Sequence, residues 1–183
     1  MNIELIHNPP TLENEDYRLL PLGHEQKHLV YLIVSNEKIR KRIHMDVLDS
    51  PELFEPWWKA RMDALKQAKL MHWLVFLKKS NAFCGLLTLK EIDSSSHRGE
   101  IGYSFLPEYW GRGIASSSIK MLFHFAMYDL KLHSLFAQVL DSNMASQKIL
   151  TNLGFKKEGH FNDCYFHKGV YYDILQFGYI NPK

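Results

Sequence analysis

The chain has 183 residues, 46% hydrophobic and 23% charged, with 22 Lys and Arg against 20 Asp and Glu, a net charge of +2. At this length one domain is expected, able to bury about two-thirds of its unfolded surface. These proportions exclude a disordered tail, a collagen-like fibre and a membrane span, and the balanced charge gives no clustered basic surplus for nucleic acid.

Residues 1–16 are expected to be loosely ordered, because Asn8-Pro9-Pro10 blocks regular pairing. Tyr17 to Leu22 reads as a first strand, stopped by Pro21 and Gly23. From His24 to about Ile43, Leu29, Leu32, Ile33 and Ile39 suit one helical face. Lys38, Arg40, Lys41 and Arg42 crowd its end, where they complement the helix dipole and are expected to be solvated. Asp49-Ser50-Pro51-Glu52 opens a second helix, with Ser50 as cap and Pro51 at the first helical position. It should run to about Lys69, with Pro56 as a break point.

Three strands then predict an antiparallel meander: Met71 to Lys78, Ala82 to Ile92 and Arg98 to Leu106. Gly113 to Leu130 is a helix with two apolar stripes, so it should be buried on more than one side. His133 to Leu140 is a strand, and Asn143 to Asn152 a short helix ending near Gly154. Two final strands, around 156–166 and 170–180, are joined by Lys168-Gly169. The two cysteines, Cys84 and Cys164, are too few for a disulfide framework or a zinc site. Met1-Asn2-Ile3-Glu4 does not open a signal peptide, so a cytoplasmic location is expected.

The chemistry concentrates between Leu106 and Ser118. A strand leads through Pro107-Glu108-Tyr109-Trp110 into Gly111-Arg112-Gly113-Ile114-Ala115 and a helix. Glycines before a helix let backbone approach a ligand, and free N–H groups at the helix start bind a phosphate anion. Arg112, Ser116 and Ser117 could add contacts, though the same glycines would also serve tight packing alone. The spacing fits neither a P-loop nor a Gly-x-Gly-x-x-Gly dinucleotide turn, since Ser116 stands in the third glycine's place. Downstream, Asp141-Ser142-Asn143-Met144-Ala145-Ser146 leaves a strand and opens a helix ending in Leu153-Gly154-Phe155. Such polar side chains face a ligand or cap the helix.

Glu100-Ile101-Gly102-Tyr103, the 110–115 segment, Asn143-x-x-Ser146, Leu153-Gly154-Phe155 and Glu158-Gly159 together resemble the Gcn5-related N-acetyltransferase (GNAT) superfamily over about residues 17–180. The set looks like the RimJ/RimL branch, which includes ribosomal-protein N-terminal acetyltransferases; Asn162 departs from the arginine common there. The resemblance implies a single α/β (α+β) domain over residues 1–183. Its mixed, mostly antiparallel sheet would have about seven strands, splayed between the fourth and fifth, flanked by about four helices. It implies acetyl-CoA as co-substrate and no metal. The pyrophosphate would lie on Gly111, Arg112, Gly113, Ile114, Ala115 and Ser116. The pantetheine arm would pair with backbone at Phe105 and Leu106, in a gap opened by a bulge in that strand, and would be held by Asn143.

A lysine amine, with a pKa of about 10.4, needs a base before it attacks a thioester; a chain-terminal amine, at about 7.7–8.0, needs one less. Glu100 is the candidate, with a surface ion pair as the alternative. A backbone N–H near Leu106 is the candidate oxyanion donor. Many of these enzymes have a tyrosine acid where this chain has Leu150, so Ser146 is the candidate to protonate the leaving thiolate. No cysteine lies nearby, which favours direct attack in a ternary complex.

His24 and His28 have metal-ligand spacing but lack a third ligand. Trp57 and Trp58 are expected to pack in the core, with stacking on substrate the alternative. Tyr171 and Asp173 would border the acceptor side. The leading function is transfer of acetyl to a primary amine, on a protein N-terminus or a small molecule; the alternative is a non-catalytic acyl-CoA sensor or interaction module. No membrane or direct nucleic-acid partner is expected, and an exposed final strand would allow a homodimer.

Overall fold

The meander forms the middle of the sheet. In the computed structural model, which describes residues 1–43, 48 and 50–182, β1 (Leu12–Glu13), β2 (Tyr17–Pro21), β3 (Leu70–Leu77), β4 (Phe83–Asp93) and β5 (Arg98–Phe105) pair antiparallel in that order. β6 (Ser134–Leu140) joins β5 in parallel, and β8 (Val170–Ile180) lies between β6 and the edge strand β7 (Lys156–His167). The sheet thus has eight strands. The extra strand is β1, a short pair that the prolines do not prevent, so the splay falls between the fifth and sixth. The final strand β8 is interior, because β7 crosses to the outside of it; the edge open to a second copy is therefore β7.

The N-terminal segment is tied down more than its prolines suggest. Its helical turn α1 (Glu4–His7) buries Ile6, and the Trp73 indole N–H donates to the Pro10 carbonyl at 2.9 Å. The helix read from His24 to Ile43 is interrupted. A 3₁₀ turn leads into α2 (Lys27–Val34), and a short α3 (Glu37–Arg40) follows. Asn36 breaks the run by accepting from the Lys38 and Ile39 N–H groups, an N-cap in mid-segment. α4 (Pro51–Lys66) starts at the Ser50 cap and passes through Pro56 without stopping; Asp49 lies outside the described residues. Burial of Phe54, Trp58 and Met62 on one face offsets the missing donor.

Strand alternation sends Met71, Trp73 and Val75 of β3 to a core shared with α5 (Ile114–His124), and Leu74 to a second core under α2 and α4. α5 is buried by both Ile119 and Leu122, then widens into a π turn over Phe125–Asp129, where Leu130 N–H bonds the Phe125 carbonyl at 2.8 Å. α6 (Met144–Asn152) follows β6.

The bulge expected in β5 is on β4 instead. Glu91 and Ile92 oppose Gly99, with Glu91 at φ 50°, while pairing is regular from Lys90↔Glu100 to Gly85↔Phe105. Gly85 lets β4 and β5 approach there: a Cβ would stand 2.5 Å from the Ser104 carbonyl oxygen and 2.6 Å from the Phe105 ring. Gly85→Ala should cost about 1–3 kcal/mol in urea unfolding. Gly102→Ala, whose Cβ meets only Thr88 at 3.7 Å, should cost less than half as much.

Candidate active site

β5 and β6 pair only at Arg98↔Ser134, Gly99↔Leu135 and Glu100↔Phe136. Beyond Glu100 they part. Leu106 N–H donates to the Cys84 carbonyl at 2.9 Å, so even-numbered residues of β5 point their backbone groups at β4. The N–H and C=O groups of Ile101, Tyr103 and Phe105 then face the gap. The Phe105 carbonyl accepts from the Trp110 indole N–H at 2.7 Å, which pins the loop after β5 against the gap's mouth. The N–H of Leu106 itself is spent inside the sheet, which leaves its neighbour as the candidate oxyanion donor expected near it. The gap-facing donor at this end is Phe105 N–H.

That loop delivers the start of α5. Gly111 and Gly113 have φ of 72° and 77°, a region natural to glycine, and a Cβ at either would meet nothing within 4 Å. The first ladder bond of α5 runs from Ser117 N–H to Gly113 carbonyl. The N–H groups of Ile114, Ala115 and Ser116 precede it and remain available to an anion. Phe105, Gly111, Gly113, Ala115, Ser116 and Asn143 line one cleft with Ser146. The side chains of Leu106, Arg112 and Ile114 do not line it. Ile114 is buried in the core, and Arg112 sits 5.9 Å from the Tyr109 ring centre. Ser117 accepts from Asn14 at 3.3 Å, away from the loop.

A second cavity lies between α2, α4 and the sheet, and meets the first along Arg42, Ile43, Tyr103, Ser104, Asn143 and Ser146. Glu100 and Ser146 both line it, and both are buried. Glu100 receives an ion pair from Lys90 at 3.0 Å, across the β4–β5 register. Burial holds its carboxyl above the usual range, opposed by Lys90 and more weakly by Arg61. Beside it, His72 shares a 2.8 Å hydrogen bond with the Thr88 hydroxyl. Burial, then the nearby Arg61, pushes the His72 imidazole down to about 3, so it is neutral in the working range.

Asn143 caps α6 through Ser146 N–H at 3.2 Å, and its amide donates to the Arg42 carbonyl at 2.8 Å. The Tyr103 hydroxyl donates to the Ser146 carbonyl at 3.4 Å and is pushed up to about 12 by burial. Leu150 is fully buried in the core, so no acid stands there.

Two residues that the sequence placed elsewhere, and Arg61, which it did not single out, line these cavities. Arg42, grouped with a solvated helix end, lies 4.1 Å over the Trp110 ring where the two cavities meet. Trp57 lines the second cavity, with the Arg61 guanidinium 4.8 Å over its ring, whereas Trp58 packs in the core. Both tryptophans follow Phe54 on α4, and only the helix's rotation separates their fates. Asp173 does not border this cavity; it accepts from Asp163 N–H and pairs with His160 at 2.8 Å across β7 and β8. Among the described residues no group of three or more His, Cys, Asp or Glu could hold a metal ion. Among them also, no helix is long and apolar enough to cross a membrane.

A parted sheet, an open helix start at one end and a buried carboxylate at the other define an acyl-CoA-dependent acetyltransferase. The acetyltransferase (GNAT) domain model matches residues 18–156, and the chain belongs to that family. It is an N-acetyltransferase with acetyl-CoA as its acetyl donor; the glycine turn and open gap fit that donor. An uncharacterized N-acetyltransferase of Bacillus subtilis, YoaA, is 22% identical over 95% of this chain and 98% of its own. The spermidine N(1)-acetyltransferase of Vibrio cholerae is 30% identical, over 53% of this chain and 59% of its own. The crystal structure of spermidine N-acetyltransferase from Vibrio cholerae in complex with CoA and spermine shares the fold. Its TM-score is 0.83 at 20% identity, over 92% of this chain and 97% of that one.

Gly113→Glu would strain the left-handed turn and place a carboxylate against the donor's diphosphate. Calorimetry should find CoA affinity lowered at least about tenfold, since a lost charge-assisted bond is worth about 1.5–3 kcal/mol.

Proposed function

We propose that this chain acetylates the primary amine of a small molecule by direct attack on acetyl-CoA, with Glu100 as general base. The observation that carries this is the position of Glu100: buried, lining the acceptor cavity, on the strand whose far end reaches the donor loop. The spermidine acetyltransferases among its relatives support a small amine acceptor. So does the roof of α2 and α4, which encloses the amine end of the cleft.

The diphosphate sits on the N–H groups of Ile114, Ala115 and Ser116, and the pantetheine arm pairs with the gap-facing groups of β5. The thioester is thereby held near Phe105 N–H, which donates to the oxyanion as the tetrahedral centre forms. Glu100 takes the ammonium proton, directly or through one water, and the neutral amine attacks. The C–N bond forms and the C–S bond breaks; the extra proton still on nitrogen passes, through Ser146 or solvent, to the departing CoA thiolate, and Glu100 returns its own proton to solvent. Tyr103, holding its proton, keeps α6 and Ser146 against the gap. The protein works in the cytoplasm on this reading, with Cys84 and Cys164 both free thiols.

Glu100→Gln should lower kcat/KM by about 100-fold or more and abolish its acid limb, with CoA affinity retained. An unchanged pH–rate profile would remove Glu100 as the base. Lys90→Met gives the sign of the electrostatics. Lys90 favours the ionised carboxyl, so its loss should move the acid limb of kcat/KM to higher pH; a shift downward would contradict the pairing.

A further inference from the structure

Among the described residues, the lining of the acceptor cavity carries three cations, Arg42, Arg61 and Lys90, and one carboxylate, Glu100, with His72 neutral beside them. Lys90 is committed to Glu100 at 3.0 Å. Arg42 is seated on Trp110 at the neck. Arg61 is different. It projects from α4 into the cavity with its guanidinium carbon 4.8 Å from the Trp57 ring centre, and no hydrogen bond or ion pair within the described residues engages it. Withdrawing a guanidinium from water without a hydrogen-bonded anion is unfavourable, and its planar fork matches a carboxylate or phosphate. An occupant with several positive charges would add repulsion in a cavity already positive.

Building on the amine-acetylation reading above, we propose that the acceptor carries an anionic group, a carboxylate or a phosphate, which Arg61 binds while the amine lies at Glu100. The substrate is a small molecule with both an amine and an acid. Such a molecule completes the charge pattern: its anion meets Arg61, its ammonium meets the carboxylate that will deprotonate it, and Trp57 stacks along the chain between. The inference sets this chain apart from its spermidine-acetylating relatives, whose polyamine substrate carries no acid group.

The test uses matched acceptors with the full-length protein and acetyl-CoA: propylamine against β-alanine, ethanolamine against O-phosphoethanolamine, and spermidine as the polycation. Free thiol release gives kcat/KM, and calorimetry on the CoA complex gives acceptor affinity. One anionic member should exceed its neutral partner by about tenfold or more in both, as a charge-assisted bond would give, and spermidine should rank lowest. The pair that responds distinguishes carboxylate from phosphate. Arg61→Met should shrink the ratio of anionic to neutral acceptor to within about threefold, while Arg61→Lys keeps its direction. A preference for spermidine or the neutral amines, or an Arg61→Met protein with the ratio intact, overturns the proposal. If Arg61→Met does not fold, the wild-type ranking decides. If no amine is turned over, acetyl transfer to a small amine is what fails. The calorimetric ranking then still decides the anion subsite.

Discussion

After Glu100 meets Phe136, β5 and β6 exchange no further backbone bonds, and the rest of the site depends on that interruption. A strand in the middle of a sheet normally has partners on both sides, and buried backbone groups left without one are costly. Here Ile101, Tyr103 and Phe105 present theirs to the gap, and among the described residues only the Phe105 carbonyl has found a side-chain donor, Trp110. The pantetheine of acetyl-CoA, itself an extended chain of amides, is suited to take the vacant edge. The sheet keeps its order because β5 is fully paired with β4 on one side and β6 with β8 on the other.

The gap also sorts the chemistry along its length. At the mouth, two left-handed glycines release the first turn of α5 toward an anion. At the closed end, three backbone pairs bring the strands together just where Glu100 emerges toward α4. Ser146, on α6, and Tyr103, on β5, stand between. One element, β5, thus links the glycine turn at one end to Glu100 at the other.

Electrostatics at the closed end balance two demands. Burial favours the neutral form of Glu100, while Lys90 at 3.0 Å and, more weakly, the field of Arg61 favour the charged form. A carboxyl raised by burial holds a proton more readily than one in a solvated surface pair. Among the described residues, cations outnumber the carboxylate in the lining of this cavity, a local excess that no count of total charge would reveal, since the chain as a whole is nearly neutral.

Much of this was legible in the chain itself. Period-two alternation marked the meander, Ser50-Pro51 the start of α4, and Trp110-Gly111-Arg112-Gly113 the glycine turn before α5, because each depends on residues adjacent in sequence. Asn36 hid an N-cap inside an apolar period, and the direction of Leu106 N–H could not be read before the β4 register was known. Arg42, Arg61 and Lys90 were beyond sequence reading for the same reason. They come from three segments, and their meeting with Glu100 and Trp57 depends on the helix rotation and strand register that packing sets. Local chemistry determined the turns, caps and periods; the tertiary fold decided which charges share a cavity, because through-space fields act between residues that the chain keeps far apart.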